Sequence, residues 1–134
     1  MTTFVDTSAF YALLTPEDDR HEPAAAWFEA IAREQDESLL THSYVVVETI
    51  SLVHHRQGGA MARLFIESLL PVCEVLSIDE DLHARATVAF LAAPGRRPSF
   101  VDRVSFEVMR SRGVRRAFAF DPDFVRAGFE TVPR

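Results

Sequence analysis

The chain has 134 residues, 48% of them hydrophobic and 25% charged, enough for one folded domain over residues 1–134 and too few for a second. With no apolar run of about 18 residues, no leader-like segment at Met1–Asp6 and a single cysteine, Cys73, the composition excludes a membrane span and an intrachain disulfide, and fits a cytoplasmic protein with no membrane partner. The net charge of -6 speaks against a nucleic-acid partner until it is mapped: residues 1–50 hold 10 acids and 2 arginines, whereas residues 96–134 hold 9 arginines and 5 acids.

Thr3-Phe4-Val5 is a short β-favouring run that ends on Asp6, and Ala9, Phe10, Ala12, Leu13 and Leu14 then read as a helix. Pro23 suits the first turn of a second helix whose apolar face is Ala24, Trp27, Phe28 and Ile31. Ser38–Thr41 reads as a buried strand, followed by a helix from about Tyr44 to His55 that stops at Gly58-Gly59. A further helix covers Ala60 to Leu70 before Pro71, and Cys73 to Ile78 reads as a strand leading to Asp79. Leu82, Ala86, Ala89 and Phe90 mark the next helical face. Pro94-Gly95-Arg96-Arg97-Pro98 is a rigid basic loop, Ser99 caps a helix to about Arg112, and Gly113 ends it in a left-handed conformation. Ala117–Phe120 is then a strand that meets Asp121. This alternation predicts an α/β sandwich with a mainly parallel sheet, and such sheets bind ligands beyond the carboxyl ends of their strands.

Three predicted strands end on aspartate, at Asp6, Asp79 and Asp121. An aspartate at a strand-to-helix junction often serves only as a cap. Asp79, followed by Glu80 and Asp81 in the first helical turn, is read as that. Asp102 completes a capping-box pattern with Ser99. Glu48 is harder to assign to structure, because it interrupts the apolar run Tyr44–Val53, and an unpaired buried carboxylate costs several kcal/mol. It needs a cation, a proton, an ion-pair partner or a position at an edge.

Carboxylates gathered without His or Cys at ligand spacing point to a hard, oxygen-preferring ion, Mg²⁺ or Mn²⁺. The five histidines form no zinc-ligand pattern and are read as surface or packing residues. No glycine-rich phosphate loop and no nucleophile elbow are present.

On these residues the sequence resembles the PIN-domain ribonucleases, and within them the VapC-type toxins of bacterial toxin–antitoxin pairs. The resemblance spans almost the whole chain and rests on an ordered set of motifs: Phe4-Val5-Asp6-Thr7-Ser8-Ala9-Phe10, Val47-Glu48, Ser99-Phe100-Val101-Asp102, and Phe118-Ala119-Phe120-Asp121-Pro122-Asp123-Phe124. It implies a three-layer α/β/α sandwich with a roughly five-stranded, mainly parallel central sheet. It also implies that Asp6, Glu48, Asp102 and Asp121 converge as catalytic and metal-holding acids, with Ser8 supporting the first acid and Asp123 as a less regular fifth. The activity implied is Mg²⁺-dependent hydrolysis of RNA phosphodiester bonds by an endoribonuclease toxin that inhibits translation. The partners implied are an RNA substrate, a cognate antitoxin and a second copy of the chain in a homodimer. Trp27, Phe28, Leu64, Phe65 and Leu69 are candidates for the antitoxin groove, with core packing as the competing reading. Arg103 stands where the family has a small or apolar residue, and is read as a surface side chain.

Two other functions fit parts of the sequence. A non-catalytic interaction or regulatory module would spend the same acids on caps and ion pairs. A small-molecule phosphohydrolase would need a second aspartate two residues after the first, which Asp6-Thr7-Ser8 lacks.

Overall fold

The computed structural model describes residues 1–134 and contains one five-stranded parallel sheet between helices. Strands β1 (Thr2–Val5), β2 (Ser38–His42), β3 (Cys73–Leu76), β4 (Arg116–Phe118) and β5 (Glu130–Val132) lie in the order β3-β2-β1-β4-β5. The chain therefore steps outward in one direction from β1 to β3, crosses back over β1, and continues the other way through β4 and β5. The switch point lies between β1 and β4, where neighbouring connections leave in opposite directions and open a crevice. Val5 pairs with Phe118 across it, and the N–H of Asp6 donates to the Phe118 carbonyl at 3.0 Å.

The helices are α1 (Thr7–Leu14), α2 (His21–Ala32), α3 (Ser43–Gln57), α4 (Gly59–Leu64), α5 (Glu80–Ala92), α6 (Phe100–Arg112) and α7 (Asp123–Arg126). Helix α4 runs on through a π-helical turn at Phe65–Leu69 and a 3₁₀ turn at Leu70–Val72. The expected helix to Leu70 thus loosens and tightens before Pro71, whose ring cannot continue an α-helix. Gly58, at φ +92°, separates α3 from α4, which fixes the register of Glu48. Gly113, at φ +65°, ends α6, with Val114 N–H donating to the Met109 carbonyl at 2.8 Å.

Phe4, Phe10, Phe65, Phe106, Phe118 and Phe124 are all essentially inaccessible and fill the core on both sides of the sheet. Each such ring contributes roughly 1.5–3 kcal/mol by leaving water. Phe65 is therefore core rather than groove, and Trp27 packs on Phe118 with ring centroids 4.5 Å apart; Leu64, by contrast, is exposed. Strand β3 lies at the sheet edge with Glu74 and Val75 exposed. The carboxyl-terminal elements depart most from expectation. Strand β4 stops at Phe118, so Asp121 sits in a loop three residues beyond it, and α7 and β5 have too few residues to show periodicity. No helix is long and apolar enough to cross a membrane.

Candidate active site

Asp6 occupies the N-cap of α1 in extended conformation, at the carboxyl end of β1. Its Oδ2 accepts from the Ser8 N–H at 3.1 Å and from the Ser8 hydroxyl at 2.7 Å, so it does cap the helix. Capping uses one oxygen only. The other, Oδ1, is buried with no hydrogen-bond partner, a costly arrangement unless a cation or proton meets it. Burial, aided by the carboxylates of Asp102 and Glu48 and opposed by the Ser8 donors, pushes the Asp6 carboxyl up to about 7.

Asp102 sits at the third position of α6, where the capping box holds it. Its N–H donates to Ser99 Oγ at 3.1 Å, and its Oδ2 accepts from the Ser99 N–H at 3.2 Å. Burial, with the carboxylates of Asp121 and Glu48 adding to it, pushes Asp102 up to about 6. Glu48 projects from α3 at an edge position. It is half-buried and has neither an ion pair nor a hydrogen bond within the chain, which removes the ion-pair explanation for its place in an apolar helix.

Asp121 Oδ1 accepts from its own loop, the Asp123 N–H at 2.9 Å, and from Arg97 Nη2 at 2.7 Å. Asp123 is buried and accepts from Arg97 Nε and Arg126 Nη1, both at 3.0 Å. Carboxylate oxygens of Asp102, Asp121 and Asp123 lie within 4.8 Å of one another. A cleft of about 300 Å³ is lined by Asp6, Ser8, Glu48, Asp102 and Asp121 together with Arg96 and Arg97, and Leu52 is its only apolar wall. The structure thus brings the four acids onto one cleft at the switch point, with Ser8 bonded to Asp6 and Asp123 just behind Asp121.

Several residues take roles that sequence reasoning did not foresee. His42, read as surface or packing, is wholly buried and caps α3: Nδ1 accepts from the N–H groups of Tyr44 and Val45 at 3.2 and 3.3 Å. That makes Nε2 the protonated nitrogen, donating to Ser105 Oγ at 2.8 Å, and Ser105 in turn donates to the Val101 carbonyl at 3.0 Å. Burial drives the His42 imidazole down to about 3. The relay ties the start of α3, which carries Glu48, to the first turns of α6, which carries Asp102. Arg103 is not the free surface side chain expected from sequence. It is half-buried, and its Nε lacks a partner. Of the arginines in the basic carboxyl-terminal third, Arg112 is bound to Glu74 and Arg116 to Glu37 and Thr3, whereas Arg96 and Arg115 are exposed.

Comparison with known proteins agrees with this architecture. The PIN domain family model matches residues 3–130. The 23S rRNA-specific endonuclease VapC20 of Mycobacterium tuberculosis is 37% identical over 131 residues, 96% of either chain. The crystal structure of M. tuberculosis VapC20, described as a Sarcin-Ricin loop cleaving toxin, superposes with a TM-score of 0.83 over 96% of both chains at 34% identity. FitAcB from Neisseria gonorrhoeae shares the fold at a TM-score of 0.70 and 18% identity, covering 99% of this chain and 97% of that one. The chain therefore belongs to the PIN-domain family and is a nuclease acting on phosphodiester bonds. Within that family it is similar to the endoribonuclease toxins of toxin–antitoxin systems.

Oxygen donors alone, one of them buried and unpartnered, fit a hard divalent cation. An interaction module of the same fold would have its acids spent on caps and ion pairs. Asp6 Oδ1 and Glu48 are spent on neither.

Proposed function

We propose that this chain is a Mg²⁺-dependent endoribonuclease, the toxin of a toxin–antitoxin pair, with Asp6, Glu48, Asp102 and Asp121 as its catalytic acids. The observation that carries the reading is the unpartnered, buried Oδ1 of Asp6, a residue that lines one cleft with the three other acids. Asp6 and Asp102 are the principal ligands, because both are buried and burial raises both carboxyls, a cost of charge that a bound cation relieves. Glu48 and Asp121, less buried, complete the set. When bound, Mg²⁺ supplies charge neutralisation at the phosphate and a water acidified for in-line attack.

The chain's own groups do the rest. Ser8 fixes the rotamer of Asp6 through two donors, so the free oxygen points to one place. Glu48, which has no partner to displace, orients the attacking water and accepts its proton. Exposed Arg96 at the cleft mouth offsets the repulsion between acids and RNA backbone. The substrate class is ribosomal RNA, on the strength of 37% identity across 96% of the chain to a 23S rRNA-specific endonuclease. A cognate antitoxin and a homodimeric state follow from the same family reading.

The test is mapping of new RNA ends after brief induction in cells, and after incubation of purified protein with ribosomes and Mg²⁺. Discrete cuts in ribosomal RNA are expected. Cuts confined to transfer or messenger RNA would move the substrate class, and no cuts in either setting would remove the activity.

A further inference from the structure

Beside the acidic cleft lies a second hollow of about 500 Å³, and the two share Ser8, Arg97 and Asp121. Its character is opposite to that of the first. Three arginines from separate parts of the chain converge on it: Arg20 before α2, Arg97 from the α5–α6 loop and Arg126 from α7. Phe120 supplies its only aromatic wall.

The arginines are not equally committed. Arg97 and Arg126 each donate to Asp123, while Arg20 has no acid partner. The Arg20 backbone N–H is held by Asp18 Oδ1 at 2.8 Å, and its guanidinium lies over the face of the Phe120 ring, 5.6 Å from the ring centre. Phe120 is also fixed: its N–H donates to Ser8 Oγ at 3.0 Å, and its ring meets Phe118 edge-on at 6.3 Å. The hydroxyl that orients Asp6 therefore also sets the position of Phe120.

We infer that this hollow is the subsite for the nucleotide next to the scissile phosphate of single-stranded RNA, with the Arg20 guanidinium layered over the Phe120 ring as the base-stacking platform and Arg20 as the ligand of the flanking phosphate. The inference rests on the ribonuclease reading and extends it. A strand whose phosphate lies among the acids must leave the cleft somewhere, and the hollow continuous with it offers a guanidinium without an acid partner, layered on an aromatic ring. Unpaired bases stack on aromatic rings and guanidinium planes with little regard to sequence, and arginine grips phosphate by paired hydrogen bonds. The subsite would thus add affinity and register without dictating which RNA is cut.

The test measures fluorescence anisotropy of a labelled single-stranded RNA in EDTA over a salt series, for wild type, Arg20→Gln and Phe120→Leu, alongside cleavage in Mg²⁺. Arg20→Gln should weaken binding and flatten the log K against log salt slope by about 0.7, the value for one phosphate contact on a single strand. Phe120→Leu should weaken binding roughly tenfold at an unchanged slope, because stacking releases no counterion. A fold defect would not split the two variants in this way. If wild type cleaves RNA and both variants bind with wild-type affinity and slope, the subsite is overturned while the activity stands. If wild type cleaves no RNA, the ribonuclease reading falls, and the subsite with it.

Discussion

Arg97 Nη2 lies 2.7 Å from Asp121 Oδ1, and the same guanidinium reaches Asp123 through Nε at 3.0 Å. A cation thus already lies against two of the acids expected to serve a metal. The Arg97 side chain is more than half exposed, so the pairs add little to folding. Their effect falls on the charge of the cleft. Arg97→Ala should leave the melting temperature nearly unchanged, and should tighten Mn²⁺ binding several-fold by removing a competing positive charge. Calorimetric titration of Mn²⁺ into both proteins checks this.

The protonation of the acids gives the metal-free protein an unusual pH dependence. Asp6 and Asp102, raised from 3.8 to about 7 and about 6, hold protons in the folded state that the unfolded chain has released. Stability in EDTA is therefore full below about pH 4 as far as these two are concerned, and is lost as the pH rises through their folded values. His42 works the other way. Lowered from 6.5 to about 3, it costs stability as the pH falls below 6.5, because the unfolded chain gains a proton that the folded one refuses. Between about pH 6.5 and 7.5 the Asp6 loss is the larger effect and is opposed in part by His42, whose unfolded form is still half protonated at pH 6.5. Urea unfolding in EDTA should show stability falling across that interval, by roughly half a kcal/mol. The fall should flatten in Asp6→Asn and shrink in Mg²⁺.

Ser8 Oγ joins two jobs, donating to Asp6 and accepting from the Phe120 N–H. Ser8→Ala leaves that N–H without its partner and frees the Asp6 rotamer. The expected loss is about 1 kcal/mol of stability, the cost of a lost hydrogen bond at a partly buried site. Cleavage should fall further than the folded fraction does. Urea unfolding and a cleavage assay on the same preparation separate the two effects.

Substituting His42 by leucine removes the acceptor for two backbone N–H groups at the start of α3. A destabilisation of about 2 kcal/mol is expected, combining a lost cap with a lost buried hydrogen bond. The acid-side loss of stability should vanish in the same variant, which pH-dependent urea unfolding would show.

The readability of the sequence followed the range of the forces involved. Asp6, Asp102 with Ser99, and Gly113 were legible because caps and left-handed turns are local, and α1 and α6 lie where their signals predict. Glu48 could be read because a carboxylate in an apolar helix must be answered by something. His42 could not. Its role depends on Ser105, 63 residues away, and no local pattern marks a histidine as a buried cap. Strand β5 and helix α7 escaped for lack of length, and the bridge from Arg97 to Asp121 and Asp123 joins the α5–α6 loop to the start of α7, well separated from it in the sequence. Asp121 itself was legible through the resemblance, although it sits beyond the strand expected to end on it.

The most direct measurement of the central claim is the initial rate of RNA cleavage by wild type and by Asp6→Asn, each in Mg²⁺ and in EDTA, with circular dichroism confirming that both are folded. Wild type in Mg²⁺ should cleave, and the other three conditions should be slower by at least about a hundredfold, the scale of losing an essential charged group from a catalytic site. Cleavage that persists undiminished in EDTA, or in a folded Asp6→Asn protein, would contradict the account.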